Sequence, residues 1–353
     1  MAENGPVEKV ANIVSSKLFS KFGWKEVGPL NQDFPCRKED DHKPKNKKQS
    51  HTHPVDIVFA YRDPYLNRII YLNTDLKSYS KSSINASKVE GALKSLAHTI
   101  DCASNSPQWK SKYDTMNGVS EVRGMLFVYN HDNLSTKDFY EFFYPTKKDG
   151  KKRKPASVKL DRIELPKNKQ IHIVEPSLIT YMMTVVSDMT EMISERTFPQ
   201  ERYGFYYPEL TLHKVLISDE FLPATIELLS APFMIIKHDE VIEYTSQGEA
   251  KELHPEGFVV YYNRKGEEDL EFLYLLDTLS KYQVLNRRNR IRIRVASEKR
   301  SASIRSNYER ALEKYAFDWG YDESAVDYLK SIELYIVPTT KEFYCTEEIS
   351  WES

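Results

Sequence analysis

The chain has 353 residues, 40% of them apolar and 29% charged, with a formal net charge of −2 at pH 7. That length accommodates more than one globular core, and the near-neutral balance means that any nucleic-acid surface has to be local. No apolar run reaches the length of a membrane span, no charged-then-apolar leader opens the chain, and the three cysteines, Cys36, Cys102 and Cys345, are too scattered for a disulfide framework; a reducing cytoplasm is the expected setting.

Apolar residues at Val10, Ile13, Val14, Leu18 and Phe22 predict a first helix over residues 7–22, ended by Gly23, with a strand opening at Trp24. "RKEDDHKPKNKKQSHTH", residues 37–53, then reads as a basic loop. Its Lys45, Lys47 and Lys48 are candidates for phosphate contact, with solvated surface as the alternative. Cys36, His42, His51 and His53 lie in or beside this loop and are competent zinc ligands by type. Their spacing follows no familiar zinc pattern and the lysines would repel a cation, so zinc is not expected here.

"VDIVFAYRDPYLNRIIYLNTDLKSY", residues 55–79, is a hairpin. β-Branched and aromatic residues fill both arms, and Asp63-Pro64-Tyr65-Leu66-Asn67 is a turn signal. A hairpin with its midpoint at Tyr65 and Leu66 sets Asp56 opposite Asp75, roughly 5 Å apart at Cβ. Asp75 and Lys77 alternate onto one face. Two carboxylates side by side repel unless a cation lies between them. Such an oxygen site suits Mg²⁺, with Mn²⁺ as a substitute, and a lysine beside it can orient an attacking water. The competing reading is a surface salt bridge across a hairpin, worth at most about 1 kcal/mol. The strand around Asp56 reads as buried, which weighs against that.

Ile84, Val89, Leu93, Leu96 and Ile100 form the apolar face of a second helix, and "VRGMLFVYN", residues 122–130, is a buried strand. Pro54-Val55-Asp56, a hairpin, Asp75-Leu76-Lys77 and this order of elements resemble the PD-(D/E)XK nuclease superfamily. The resemblance covers about the first 135 residues. It implies a restriction-endonuclease-like α-β-β-β-α-β core, a divalent metal held by Asp56 and Asp75, and Lys77 positioning or activating water. It also implies a metal-ligating glutamate from the first helix. Glu8 is the candidate, although it lies about one turn too far from the Gly-Trp pair and Asn12 sits closer to the expected place. Favourable placement in the first turn of a helix is the other explanation of Glu8. Lys81 and Lys88, near the second helix, are candidates for phosphate contact or a solvated face.

The second half carries a different pattern. "QIHIVE" is a strand and "PSLITYMMTVVSDMTEMISE" a helix, after which strands and helices alternate through "PFMIIKH", "GFVVYYN", "EEDLEFLYLLDTLSKYQV", "RIRIRVA", "SNYERALEKYAFDW" and "SIELYIVP". Leu270, Leu273, Leu276 and Leu279 are the expected buried face of the helix in "EEDLEFLYLLDTLSKYQV". In "RNRIRIR" Ile291 and Ile293 face a core, leaving Arg290, Arg292 and Arg294 as a row that either tracks phosphates or pairs with acids. Ser301, Ser303 and Arg305 either touch phosphate or cap a helix. A second basic run, residues 147–159, follows the nuclease-like part. No P-loop, dinucleotide fingerprint or nucleophile elbow is present.

The expected architecture is therefore α/β, with a nuclease-like domain over residues 1–165, a helical connector over 166–209 and a smaller α/β domain over 210–353 that recognises substrate, regulates or assembles. The expected function is a Mg²⁺-dependent nuclease. DNA is favoured because the superfamily mostly acts on DNA, and restriction or antiviral defence is the setting the resemblance implies. The alternative is a non-catalytic nucleic-acid-binding module, or an assembly subunit beside a second copy, a partner ATPase or a modification enzyme.

Overall fold

A computed structural model describes residues 15–43, 50–135, 139–145, 157–208, 221–244 and 248–340. They fall into two compact units, one running to Ile179 apart from the turn residues Pro64–Leu66, the other taking that turn and the described residues from Thr180 on.

The N-terminal unit opens with helix α1 over residues 15–21, which ends at Gly23 in the left-handed region (φ 80°). Strands β1 (Lys25–Val27) and β2 (Gln32–Pro35), the short helix α2 (Glu39–His42) and strands β3 (Thr52–Val55), β4 (Ile57–Asp63) and β5 (Arg68–Tyr79) follow. Helices α3 (Ala86–Ala103) and α4 (Pro107–Tyr113) lead to β6 (Ser120–Asn130), then α5 (Tyr140–Phe143) and β7 (Ile171–Val174). The main sheet has the order β1-β4-β5-β6-β7. β1, β4 and β5 are antiparallel, whereas β6 runs parallel to β5 and to β7. A four-residue turn allows antiparallel return from β4 to β5, while the parallel step to β6 needs the crossover that α3 and α4 supply. The result is the α-β-β-β-α-β order expected from sequence, with β2 and β3 paired as an added hairpin on either side of the stretch read as a basic loop.

Alternation along the strands builds two apolar layers. Val58, Ala60, Ile69, Tyr71, Val122 and Leu126 face α3 and form one core with its Val89, Leu93, Leu96 and Ile100. On the other face Phe19 of α1 lies 5.0 Å from Phe59 and 5.9 Å from Phe127, ring centre to ring centre. α3 starts where Asn85 accepts the Lys88 backbone N–H at 3.0 Å, an ordinary N-cap. α3 packs close to the sheet at Gly124, where a Cβ would come to 3.0 Å of Leu96 and Ile171. Trp109 of α4 is fully buried and donates to Asn73 of β5 at 3.0 Å, fixing that helix to the strand.

The C-terminal unit takes most of α6 (Pro176–Ser194), then β8 (Tyr203–Phe205), α7 (Ile226–Leu229), β9 (Phe233–His238), β10 (Val241–Tyr244), β11 (Ala250–His254) and β12 (Gly257–Tyr262). α8 (Asp269–Lys281), β13 (Ile291–Val295), α9 (Ile304–Asp318), α10 (Glu323–Ser331) and β14 (Leu334–Ile336) complete it. Its sheet has the order β14-β13-β12-β9-β8, parallel from β12 to β14 and antiparallel at β9 and β8. The face of α8 differs from the one expected. Leu276 and Leu279 are buried, but Leu270 is 61% exposed and Phe272 and Leu275 take the inner positions. Leu270 lies on the opposite side of the helix from the stripe that Phe272, Leu275, Leu276 and Leu279 form at i, i+3, i+4 and i+7.

The arginine row divides: Arg294 pairs with an acid, Arg292 meets a histidine, and Arg290 is exposed. Ile291 and Ile293 enter the core as expected, and Arg294 on the opposite face meets the fully buried Asp188 of α6 through two hydrogen bonds of 2.5 Å. Tyr261 donates to the same carboxylate at 2.7 Å. Arg292 donates to His238 Nε2 at 3.0 Å, and His238 Nδ1 is 2.8 Å from the Asp239 carbonyl, which fixes Nδ1 as the protonated nitrogen. Burial, then the Arg292 charge, outweighs that hydrogen bond and lowers His238 to about 4. Arg292 and Arg294 are thus committed inside the unit. Arg305 is held by the Leu334 carbonyl at 3.0 Å; Ser303 occupies the N-cap position of α9, but its side chain makes no capping hydrogen bond and meets Ser301 instead.

Candidate active site

Asp56 is the residue between β3 and β4, flanked by Val55 and Ile57, which are 1% and 0% exposed. The β4–β5 register pairs Ile57 with Thr74 and Asp63 with Arg68, so its continuation sets Asp56 against Asp75, the pairing read from the turn. Alternation carries Asp56, Asp75 and Lys77 to the face covered by α3. They cluster at the end of the sheet where the apolar layer gives out.

The contacts are direct. Asp56 Oδ2 accepts the backbone N–H of Leu76 at 2.7 Å, and Lys77 Nζ lies 2.6 Å from Asp75 Oδ1. The Asp75 and Lys77 side chains are 19% and 24% exposed, so the pair is neither dry nor freely solvated. Burial, then the charge of Asp75, raises Asp56 to about 7 against the opposing pull of the Leu76 N–H and Lys77. Burial lowers Lys77, but Asp75 and then Asp56 outweigh it and hold the ammonium above its ordinary value. A carboxyl group this close to neutral pH is deficient in positive charge, and the donor set, two carboxylates with room for water, fits a hard divalent cation. Asp56 and Asp75 are the residues that would hold it.

The other sequence candidates divide. Glu8 and Lys45, Lys47 and Lys48 lie outside the described residues, as does most of the run 147–159. Lys88 is exposed, its ammonium 5.0 Å from the centre of the Tyr79 ring, and Tyr79 follows Lys77 by one alternation on the same face of β5. Lys81 is exposed in the turn after β5, where its backbone N–H binds Asp132 at 2.9 Å. Asn73 and Trp109 are supports that sequence reasoning misses. They lock β5 one alternation before Asp75, and only the i,i+2 spacing to the DxK run could have drawn attention to Asn73.

The loop histidines and cysteine come together although their spacing follows no familiar zinc pattern. Cys36, His42 and His53 converge, and the fourth member is Cys102 of α3 rather than His51. Among the described residues no helix is long and apolar enough to cross a membrane. No curated protein and no solved structure matches the chain. A family model described as the GAPS4 protein PD-(D/E)XK nuclease domain matches residues 1–178.

Proposed function

Since the chain belongs to the GAPS4 PD-(D/E)XK nuclease-domain family, we propose that its N-terminal unit is a divalent-metal-dependent nuclease that hydrolyses phosphodiester bonds, with DNA as the favoured substrate. The observation that carries this reading is the meeting of Asp56, Asp75 and Lys77 at one end of the sheet, with Asp56 raised to about 7. A carboxyl group shifted this far by burial and a neighbouring acid is characteristic of functional sites.

In this proposal Asp56 and Asp75 hold Mg²⁺ or Mn²⁺, and Glu8 completes the shell. The ion supplies Lewis acidity toward the scissile phosphate and acidifies a bound water. Lys77, anchored by Asp75, orients that water and donates a hydrogen bond to the phosphate as charge builds on it. The Leu76 N–H holds the Asp56 carboxylate in position, so the ligand does not have to be ordered when metal binds. Lys88 and Lys81 at one side, and Lys45, Lys47 and Lys48 in the loop before Asp56, contact the nucleic-acid backbone.

The test is incubation of the purified chain with plasmid DNA, single-stranded DNA and RNA, in Mg²⁺, Mn²⁺ or EDTA, beside Lys77→Ala. Metal-dependent cleavage lost in the variant supports the proposal and selects the substrate. A folded protein that cuts none of them overturns it in favour of a binding module or an assembly subunit. The defence setting is tested by phage challenge of cells expressing wild type or Lys77→Ala; equal plaque counts would remove it.

A further inference from the structure

A second cluster lies in the same unit, built on different elements and of different chemistry. Cys36 follows β2, His42 ends α2, His53 lies in β3 and Cys102 is in the last turn of α3. One ligand atom from each lies within 4.8 Å of the other three. The cluster is dry: Cys36, His53 and Cys102 are 8%, 2% and 1% exposed, and the His42 side chain is 6% exposed.

The separations carry the argument. Cys36 Sγ and Cys102 Sγ are 3.8 Å apart, and His42 Nδ1 is 3.6 Å from the first and 3.4 Å from the second. A tetrahedral ion with metal–sulfur bonds of about 2.3 Å and metal–nitrogen bonds of about 2.05 Å needs sulfur–sulfur gaps of roughly 3.8 Å and sulfur–nitrogen gaps of roughly 3.6 Å. A disulfide would need about 2.05 Å between the sulfurs, and both cysteines are free. The surroundings match as well. Each sulfur receives a backbone N–H, Lys38 to Cys36 at 3.3 Å and Arg37 to Cys102 at 3.4 Å, as thiolates require when buried. His42 Nε2 faces Asp101 at 3.4 Å, the carboxylate that would fix Nδ1 as the ligating nitrogen. His53 Nε2 is buried with no hydrogen-bond partner among the described residues, which a dry site does not tolerate without cause. Of the lysines that sequence set against a cation here, Lys38 is turned to Asp101 at 2.7 Å.

We propose that Cys36, His42, His53 and Cys102 bind one zinc ion in a closed Cys₂His₂ site that clips the β2–β3 segment to α3. Two thiolates, two neutral imidazoles and Zn²⁺ sum to zero charge, the state a buried site favours. With four protein ligands no position is left for water, so the ion is structural. His53 stands three residues before Asp56, so the clip also anchors the strand that delivers the first acid. The proposal is independent of the nuclease reading, because it concerns other residues, another metal and no reaction.

The experiment is metal analysis of the untagged full-length chain, purified without chelator, followed by exchange into Co²⁺. The expected result is about one zinc per chain that survives dialysis, and a Co²⁺ form with the visible bands of a tetrahedral ion and a near-ultraviolet thiolate-to-cobalt band. Cys102→Ser should lose the zinc, while His53→Cys, which substitutes one competent ligand for another, should keep it. If Cys102→Ser does not fold, the wild-type Co²⁺ spectrum still decides. A wild-type chain with no stoichiometric zinc and no thiolate-to-cobalt band overturns the proposal. So does an intact mass showing Cys36 and Cys102 joined as a disulfide.

Discussion

Asp56 accepts its hydrogen bond from Leu76, the residue that separates Asp75 from Lys77. The two strands of the hairpin are therefore joined at the site by a side chain as well as by the ladder. Moving Asp56 moves the backbone on which the other two functional groups stand.

Asp75→Asn and Lys77→Ala should each lower cleavage by about 10²-fold or more while leaving nucleic-acid binding and the circular dichroism spectrum intact. Gel-shift, cleavage and thermal melts on the same preparations give the answer. Loss of folding in step with loss of cleavage would make the Asp75–Lys77 pair a structural salt bridge.

Asp56 links stability to pH with an unusual sign. Its folded value near 7 lies above the 3.8 of an unperturbed aspartate, so between those values the folded chain holds a proton that the unfolded chain has released. This group's contribution should fall as pH rises from about 4 to 7 and then level off. Asp56→Asn keeps an acceptor for the Leu76 N–H and removes the titration. We expect it to be more stable than wild type at pH 8, by about 1–3 kcal/mol, with the advantage shrinking as pH falls and gone by about pH 4. Mg²⁺ should raise the melting temperature of wild type at pH 8 and not that of the variant. Urea melts at both pH values measure this; a variant less stable than wild type at pH 8 would refute it.

Charge on the loop before Asp56 should appear in the salt dependence of binding. Neutralising Lys45, Lys47 and Lys48 together should weaken binding and flatten the plot of log affinity against log salt by about 0.9 for each duplex phosphate that these ammonium groups cease to neutralise. Titrations between low and moderate salt report the slope, and an unchanged slope takes the loop out of the interface.

In the C-terminal unit Asp188→Ala should cost about 3–5 kcal/mol, because it strands the Arg294 guanidinium and the Tyr261 hydroxyl in the interior. The double replacement Asp188→Leu with Arg294→Met should recover most of that loss. Urea unfolding of the three proteins tests both statements.

What the sequence made legible was local or periodic. The hairpin register followed from one turn, and the helix over residues 86–103 from its apolar spacing. What escaped needed knowledge of which strands become neighbours. Cys102 is 49 residues beyond His53, and nothing in ligand spacing joins them; the sheet order and the crossover through α3 do. The arginines of β13 alternated as expected, yet whether they met phosphate or acid depended on Asp188, one of two acids, with Glu191, in a largely apolar helix. An acid among those apolar residues was the available signal. Leu270 was misplaced because leucines spaced three apart drift around the helix, and the buried stripe runs through Phe272 and Leu275 instead.

The four-residue turn between β4 and β5 also sets an order of events in time. Closing a loop that short loses far less chain entropy than the crossover that brings β6 alongside β5. A nascent chain that has exposed little beyond residue 80 can already bring Asp56 to Asp75, before the strand and helices that bury them have been made. The repulsion between those acids is then felt early, in a solvated hairpin where water screens it. It sharpens only as the crossover closes, so the last stages of folding, rather than the first, should respond to divalent metal.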